Sequence, residues 1–254
     1  MLDFRYIDLI AFKAYADLRI EVHRYFVGVL WWILEPIVHL LIYYVVFGVL
    51  LGRREPGYVQ FLFVGLVIWR WMTATILEGA GSIHASRMLI QQVYMPKLVL
   101  PTVSIVTQLF KFSFVLVVLV GFLWASGHTP GLGSLRIFAV LAIGLVFVTG
   151  MTWLFAGVIP FIPDLRLLLD QAFRLGFFLS GIFYSGRDLG PEYQRLFYLN
   201  PFAVVIESVR QVLIDGVPLS WLHLSWVLGL GVVLISAGVL LLSRFDRRYP
   251  KVIY

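Results

Sequence analysis

The residues of this chain that could take part in chemistry are charged side chains within long apolar stretches. Arg70 lies between two tryptophans in the middle of one stretch, and Lys111 lies deep in the next. Asp170 and Arg174 are one helical turn apart in a later stretch. A charge at the centre of a bilayer costs at least about 2.5–3.5 kcal/mol unless it is paired or hydrated. The functional interpretation is therefore a hydrated path that accepts something polar.

Three of these charges also have a structural interpretation. Asp170 and Arg174 have the i,i+4 spacing of an ion pair that faces the interior of a helix bundle. Arg70 can form cation–π contacts with its flanking tryptophans, or it can pair with an acidic residue such as Glu207. The residues alone leave both interpretations open.

The motifs of enzyme active sites are missing from the sequence. There is no G-x-x-x-x-G-K-[ST] phosphate loop, so the chain itself is not expected to bind ATP phosphates. It has no H-E-x-x-H or G-x-S-x-G motif, and its five histidines are scattered. With no cysteine, it can form neither disulfides nor thiolate metal sites. We predict a chain without catalytic residues, cofactor or metal.

The composition is that of an integral membrane protein. Of the 254 residues, 61% are hydrophobic and 13% are charged, whereas a soluble domain has about 45–50% apolar and about 25% charged residues. The formal net charge of +6 could indicate nucleic-acid binding, but the basic residues form no stripe with interleaved aromatics. An excess of Lys and Arg beside the spans is normal for membrane proteins, so we expect no nucleic-acid partner.

Six apolar stretches each approach the roughly 20 residues that a helix needs to cross a bilayer. They are residues 30–51, 59–78, 98–124, 135–159, 166–184 and 223–243. The fifth is the weakest, because three charges interrupt its first half. The larger share of Lys and Arg falls on the side of the two termini, which predicts that both termini are cytoplasmic.

Two segments outside these spans are amphipathic. Between residues 4 and 26, apolar residues recur at three- and four-residue steps, which predicts an interfacial helix. The residues on its predicted apolar face are Phe4, Ile7, Ala11, Ala14, Leu18, Val22 and Tyr25. The second segment, residues 82–101, is predicted to be a short helix along one face of the membrane. Ser82 is its expected N-cap, and Pro96 must end it at or before Met95.

The segment between the fifth and sixth stretches, about residues 185–222, is too apolar for an ordinary loop. Short apolar runs alternate there with Pro191, Pro201 and Pro218. Such runs favour re-entrant helices, because backbone at membrane depth must be covered by protein or water. They would form a lid over a pathway; the alternative is a hydrophobic loop packed on its neighbours.

The fifth stretch is rich in aromatic residues. Phe173, Phe177, Phe178, Phe183 and Tyr184 run along it beside small residues. Small residues allow helices to approach closely, and aromatic faces stack on sugar rings or on lipid. Ordinary lipid-facing phenylalanine remains the alternative for each of them.

Three segments, in order along the six stretches, resemble those of type-2 ABC exporter permeases of the polysaccharide export family. They are GVLWWILEP at 28–36 followed by His39, then LIQQVYMPK at 89–97 with Leu100 and Pro101, then SGIFYS at 180–185 with LNPF at 199–202 and Arg210. The resemblance implies an all-α membrane fold of six transmembrane helices, with an N-terminal interfacial helix and re-entrant helices between spans five and six. As one permease domain, the chain would comprise the interfacial helix (1–28), the six-span bundle (29–243) and a cytoplasmic tail (244–254).

The same resemblance implies how such a subunit works. Two copies would form a homodimer in a bacterial inner membrane, with two copies of a separate P-loop ATPase that holds ATP and magnesium. Lipid-linked polysaccharide would pass at the dimer interface, between spans one and five, toward periplasmic export proteins. The local sequence Leu34-Glu35-Pro36 followed by His39 favours the capsular-polysaccharide branch of the family. The O-antigen branch is the near alternative, followed by exporters of teichoic-type polymers.

The resemblance also implies roles for four sets of residues. The translocation channel would comprise Tyr43, Tyr44, Arg70, Phe173, Phe177, Phe183 and Tyr184. The outer gate would comprise Asn200, Pro201, Phe202, Glu207 and Arg210. The ATPase would couple through Arg87, Gln91, Gln92, Tyr94, Lys97, Asp17, Glu21 and Arg24. The start of span one would contribute Trp31, Trp32, Glu35 and His39. The competing functions are a small-lipid or drug exporter of this family and an intramembrane enzyme acting on lipid-linked sugars.

Overall fold

The computed structural model describes residues 4–24, 28–50, 56–93, 95–128, 131–246 and 248–249. Its regular structure in this part of the chain is entirely helical. The α-helices are α1 (Phe4–Arg24), α2 (Leu30–Tyr43), α3 (Tyr58–Ala85), α4 (Arg87–Gln92), α5 (Val99–Ala125), α6 (Arg136–Val158), α7 (Asp164–Leu179), α8 (Pro191–Leu199), α9 (Pro201–Arg210) and α10 (Trp221–Phe245). Two π-helical segments, Tyr44–Leu50 and Gln211–Asp215, continue α2 and α9.

Five helical segments in the described residues are long and apolar enough to cross a membrane. They are Leu30–Phe47, Tyr58–Ala85, Val99–Ala125, Gly133–Val158 and Trp221–Phe245. The pair formed by α8 and the α9 segment through Asp215 passes the same test but bends by 103°. The chain is therefore an all-α multi-pass membrane protein, and the bent pair lies where re-entrant helices are predicted.

The fifth predicted span is wrong as a continuous helix over residues 166–184. Helix α7 begins at Asp164 and ends at Leu179. Its 16 residues extend roughly 24 Å, which is short of the roughly 30 Å hydrocarbon core. The chain turns directly after it, and Gly181 has a φ of +71° there, a conformation that glycine adopts without steric cost.

Helix α3 is the centre of the fold. Its most apolar window is 72% buried, the largest share of any span, and α3 contacts α2, α5, α6, α7 and α9. It runs to Ala85, beyond the predicted end at residue 78, so the prediction that Ser82 is an N-cap is wrong. Ser82 lies buried inside α3. Gly79 and Gly81 leave room for neighbours along this extension, because Thr152 and Arg166 pack where their Cβ atoms would be.

Helices α6 and α10 are the most closely packed pair. A Cβ at Gly231 would lie 2.9 Å from the backbone of Phe147, and one at Gly238 would lie 2.9 Å from the amide nitrogen of Leu154. On α6, a Cβ at Gly150 would lie 2.8 Å from the carbonyl oxygen of Gly231. Such small-residue contacts let membrane helices approach through their backbones.

The packed face of α1 differs from the predicted one. Ala14 of the predicted face is buried, together with Ile10 outside that face, against Val99 and Val103 of α5. Ile7 of the predicted face is 53% exposed. The rotation follows from polar contacts at the other end of α1, where Glu21 reaches toward α2 and α5. Periodicity alone favoured the apolar side of the helix and missed this polar anchor.

The described part of the predicted tail, residues 244–254, is packed rather than free. Helix α10 continues through Phe245, and Tyr249 is fully buried. The Tyr249 hydroxyl donates a hydrogen bond to the carbonyl oxygen of Gly157 at 3.0 Å. Burial raises the pKa of this hydroxyl above its usual range. The segment therefore closes the end of the bundle below α6.

Candidate functional site

A cavity of about 560 Å³ lies between α2, α3 and α7. It brings the first predicted span and the helix of the fifth predicted span together within one chain. The route at a dimer interface that the resemblance implies stays a prediction. Four of the seven residues predicted for the channel line it: Tyr43, Arg70, Phe173 and Phe177. Its wall combines aromatic rings with charged groups, so both apolar and polar parts of a ligand would find partners there.

The other three residues predicted for the channel lie outside the cavity lining. Phe183 is buried beside it, with its ring centroid 5.4 Å from that of Tyr43 and 5.3 Å from that of Phe177. Tyr184 turns away and packs on Phe197 at 5.9 Å. Tyr44 lies in the π-helical continuation of α2 and is 37% exposed. Phe183 thus supports the cavity wall, and the other two do not form it.

Trp69 is the centre of the aromatic wall, although it is not among the residues predicted for the channel. Its ring centroid lies 6.2 Å from that of Phe173, 6.0 Å from Phe177 and 5.3 Å from Phe202. These distances fall in the range of favourable aromatic pairs. Through Phe202, the cavity wall is continuous with the re-entrant pair. The only sequence signal was the position of Trp69 beside Arg70.

Arg70 is paired with Glu35. Its Nη2 atom lies 2.6 Å from Oε1 of Glu35, and the two side chains are 58% and 29% exposed. The prediction that Arg70 pairs with an acidic residue is therefore confirmed, but that residue is Glu35 rather than Glu207. No contact of Arg70 with a tryptophan ring occurs among the described residues. Asp170 and Arg174 face the same cavity but do not form the predicted i,i+4 ion pair in the part of the chain that the structure describes.

The remaining residues from the start of span one surround this ion pair. Trp32 is buried, while Trp31 is 47% exposed. The Nδ1 atom of His39 donates to the carbonyl oxygen of Glu35 at 2.9 Å, and the imidazole lines the cavity. This hydrogen bond holds the ring one helical turn above the carboxylate.

Lys111 is also neutralised within the chain. Its Nζ atom lies 2.5 Å from Oε2 of Glu21, and Oε1 of Glu21 accepts a hydrogen bond from Trp32 Nε1 at 3.1 Å. One carboxylate thus joins α1 to α5 and to α2. Glu21 is predicted to contact an ATPase; the structure shows that both of its oxygens are already used inside the subunit.

The residues of the predicted outer gate hold the re-entrant pair in place. Arg210 is 1% exposed and donates to three carbonyl oxygens. Its Nε bonds Phe61 O at 3.1 Å, its Nη1 bonds Gly181 O at 2.5 Å, and its Nη2 bonds Ile182 O at 2.9 Å. The guanidinium also lies 3.4 Å from the centre of the Phe61 ring. Arg210 therefore fastens α9 to α3 and to the turn after α7.

Two further contacts complete this arrangement. Glu207 accepts a hydrogen bond from the Ser185 hydroxyl at 2.6 Å, and its other oxygen lies 3.8 Å from Arg210 Nη1, within ion-pair range. Asn200 caps α9 by accepting from the Phe202 amide at 3.0 Å and donates to the Ser180 hydroxyl at 2.9 Å. Pro201 occupies the first turn of α9, where its missing N–H costs nothing.

Helix α4 presents an exposed surface at the end of α3 and α5. Arg87, Gln91 and Gln92 are exposed there, as predicted for residues that contact an ATPase, together with Met88 at 72% exposure. Ile90 points inward and is buried. This small patch combines polar groups with one apolar anchor, which is suited to protein docking.

The other residues predicted for ATPase coupling are arranged differently. Lys97 is 1% exposed; its ammonium donates to Met95 O at 2.8 Å, and its amide donates to Asp246 at 2.9 Å. Burial lowers the pKa of Lys97, and the Asp246 carboxylate opposes that shift. The prediction that Lys97 is a surface contact is therefore wrong. Asp17 pairs with Lys13 at 3.2 Å. Tyr94 and the side chain of Arg24 lie outside the described residues.

Among the described residues, no group of three or more His, Asp and Glu side chains could hold a metal ion. The charged groups of the cavity are present as two cations, Arg70 and Arg174, and two carboxylates, Glu35 and Asp170. Their arrangement supports binding and passage of a polar group more readily than bond-making chemistry.

Comparison with known proteins agrees with this geometry. Residues 18–214 match the family described as ABC-2 type transporter. The chain is 25% identical over 247 residues to the O-antigen export system permease protein RfbA of Klebsiella pneumoniae, covering 97% of this chain and 95% of the relative.

Two further relatives match along most of the chain. The protein of the same name from Myxococcus xanthus is 28% identical over 211 residues, covering 82% of this chain and 81% of the relative. The polysialic acid transport protein KpsM of Escherichia coli is 24% identical over 241 residues, covering 89% of this chain and 88% of the relative. The chain therefore belongs to the ABC-2 type transporter family, as the resemblance of its three segments predicted.

Proposed function

We propose that this chain is the membrane-spanning subunit of an ATP-driven exporter that moves lipid-linked polysaccharide across a bacterial inner membrane. Relatives named as an O-antigen export permease and a polysialic acid transport protein match it over most of their length. Both polymer branches are represented among them, and the capsular branch stays a prediction. The subunit makes and breaks no covalent bonds in this proposal.

The observation that carries the proposal is the cavity between α2 and α7. It is large enough for a sugar unit, and Tyr43, Trp69, Phe173 and Phe177 supply ring faces along it. Planar aromatic surfaces allow a polymer to slide, because they hold sugar rings without a fixed set of hydrogen bonds. The re-entrant pair adjoins the same wall through Phe202, which supports a role in gating the outer mouth.

The proposal includes a homodimer and two copies of a P-loop ATPase, which would bind ATP and magnesium. Both termini and α4 would face the cytoplasm. The exposed side chains of Arg87, Met88, Gln91 and Gln92 support docking at α4. Closure of the ATPase would push on α4 and α1. Helix α1 is in turn joined to α2 and α5 by the contacts of Glu21.

Deletion of the gene, followed by immunoblotting of surface glycans, tests the proposed substrate. We expect lipid-linked polymer to accumulate inside the cell and surface polymer to disappear, with recovery from a plasmid copy. Unchanged surface glycans would contradict the proposal.

Purification together with the product of a neighbouring P-loop ATPase gene tests the proposed partner. The complex should hydrolyse ATP, and the chain alone should not. ATP turnover by the isolated chain, or transfer of sugar between lipid carriers, would indicate an enzyme instead.

A further inference from the structure

The Glu35–Arg70 ion pair is part of a wall between two cavities. The cavity of about 560 Å³ lies on the α7 side, and a smaller one of about 120 Å³ lies between α1, α2, α3 and α5. Glu35, Pro36 and Arg70 line both of them. The pair can therefore be approached from either side, and a change in its pairing alters both spaces.

The guanidinium of Arg70 has binding capacity that the chain does not use. Arginine carries five N–H donors, and one nitrogen of Arg70 lies 2.6 Å from one oxygen of Glu35. No other side-chain partner of Arg70 occurs among the described residues, and its side chain is 58% exposed. A partly paired arginine in the middle of a membrane span is costly, which suggests that its free donors have a use.

The opposite wall of the large cavity adds a second cation. Arg174 on α7 lines the cavity and forms no ion pair within the part of the chain that the structure describes. Asp170, one turn away on the same helix, keeps the cavity close to neutral when it is empty. Rings of Trp69 and Phe173 lie between the two arginines' helices. A saccharide that carries an anion would match this combination of ring faces and guanidinium groups.

We propose that Arg70 binds an anionic group of the transported saccharide, a carboxylate or a phosphate, and that Glu35 occupies its guanidinium while the cavity is empty. This inference rests on the proposed function and names the chemistry that the exporter selects. Glu35 is an internal competitor: it shows that the guanidinium accepts a carboxylate in this position. Arg70 is then a specificity-determining residue, and an uncharged saccharide would leave the ion pair intact.

The smaller cavity gives the displaced carboxylate a polar surrounding. Its polar lining includes Gln108, Lys111 and the carboxylates of Glu21 and Glu78, and Glu35 already faces it. Lys111 is held by Glu21 at 2.5 Å, so Glu35 has no competing cation while the cavity is empty. When an anion binds Arg70, the Glu35 side chain can turn into the smaller cavity and pair with Lys111 together with Glu21. The exchange avoids leaving a bare carboxylate in the membrane.

Binding to the purified subunit in nanodiscs tests the inference without the ATPase. The probes are tetragalacturonate, which carries carboxylates, and farnesyl diphosphate, which carries a diphosphate on an isoprenoid; maltotetraose is the uncharged control. Arg70→Gln should weaken binding of at least one anionic probe by about tenfold or more. Glu35→Gln should tighten it by about threefold, because the competitor is gone. Arg195→Gln, an exposed arginine outside the cavity, should change nothing.

The opposite signs of the two variants distinguish binding from a structural role. If Glu35→Gln and Arg70→Gln weaken binding alike, the ion pair only supports the fold and the inference is overturned. Equal binding of maltotetraose and both anionic probes overturns it as well, while leaving polysaccharide export intact. Should Arg70→Gln fail to fold, Arg70→Lys replaces it: it keeps the charge but loses the planar fork and should still weaken anion binding. Which anionic probe responds shows whether the anion belongs to the sugars or to the lipid carrier.

Discussion

Arg70 and Arg210 lie in two regions of the same helix bundle and differ in almost every respect. Arg210 is 1% exposed and donates to three backbone carbonyl oxygens. Arg70 is 58% exposed and has, within the described residues, one carboxylate partner. The first lies where α3 meets α9, in the most buried part of the chain; the second lies on an open aromatic cavity. The number of internal partners therefore separates an arginine that holds the fold from one that is free to bind.

The surroundings of the two arginines differ in the same way. Helix α9, which carries Arg210, contacts both α6 and α10, and the glycines between those two helices let their backbones approach closely. The region around Arg70 is built from large rings that leave about 560 Å³ between them. Close packing fixes a single arrangement, while aromatic walls around a space allow a ligand to move.

Replacement of Arg210 by Met should produce the largest effect. It would deprive three carbonyl oxygens of their guanidinium donors and the Glu207 carboxylate of its cation in a buried site, which we expect to cost about 3–5 kcal/mol. The folded yield, measured by fluorescence-detected size-exclusion chromatography, should collapse. Arg187→Gln is the control, because its ion pair with Asp215 is half exposed and should contribute about 0–1 kcal/mol. Similar losses for both variants would contradict the anchoring role of Arg210.

Replacement of Gly231 by Leu should disrupt the α6–α10 contact. A side chain there meets the backbone of Phe147, and overpacking costs about 1–3 kcal/mol. Gly229→Leu, two residues earlier on the same helix, is the control, since a Cβ at Gly229 meets no atom within 4 Å. Thermal unfolding of the purified variants measures the difference. If Gly229→Leu destabilises as much, the close contact is not the cause.

Replacement of Glu21 by Gln tests how strongly α1 is attached to α2 and α5. The change removes one partner of Lys111 but keeps an oxygen for Trp32 Nε1, so the cost should be about 1 kcal/mol. We expect faster proteolysis within α1 and little change in the global unfolding temperature. Asp17→Asn is the control, because among the described residues the ion pair of Asp17 lies within α1, with Lys13. Unaltered proteolysis of the Glu21 variant would show that α1 is held by Ile10 and Ala14 alone.

Length and hydropathy were enough to predict the helices that cross the membrane. The stretch predicted at 98–124 is Val99–Ala125, and the one predicted at 223–243 is Trp221–Phe245. They were not enough for α7, because its end is set by a turn at Gly181 that Arg210, far along the chain, holds through two carbonyl oxygens. Local pattern carries no information on such a long-range contact.

The candidate site was predicted in part for a similar reason. The resemblance implied that Phe173 and Phe177 are channel residues, and both line the cavity. The partner of Arg70 could not be predicted, because the rotation of α2 against α3 decides which carboxylate reaches it. Glu35 and Glu207 were equally available by charge; packing of α9 buries Glu207 beside Arg210 instead.

Replacement of Phe177 tests whether the ring faces of the open region serve transport. Its centroid lies 5.3 Å from Tyr43 and 6.0 Å from Trp69, so Phe177→Ala should cost about 1 kcal/mol of stability through lost ring contacts. Polymer export in whole cells should fall by more than the drop in protein amount accounts for. Phe138→Ala is the control, since Phe138 is 65% exposed on α6 and does not line the cavity.

Two conservative variants at this position distinguish a ring face from simple bulk. Phe177→Leu keeps most of the apolar volume but removes the aromatic plane, whereas Phe177→Tyr keeps the plane. If sugar rings slide on that face, export should recover with Tyr and stay low with Leu. Recovery with Leu would mean that the residue only fills space, and the open region would then differ from the packed one in density but not in its role.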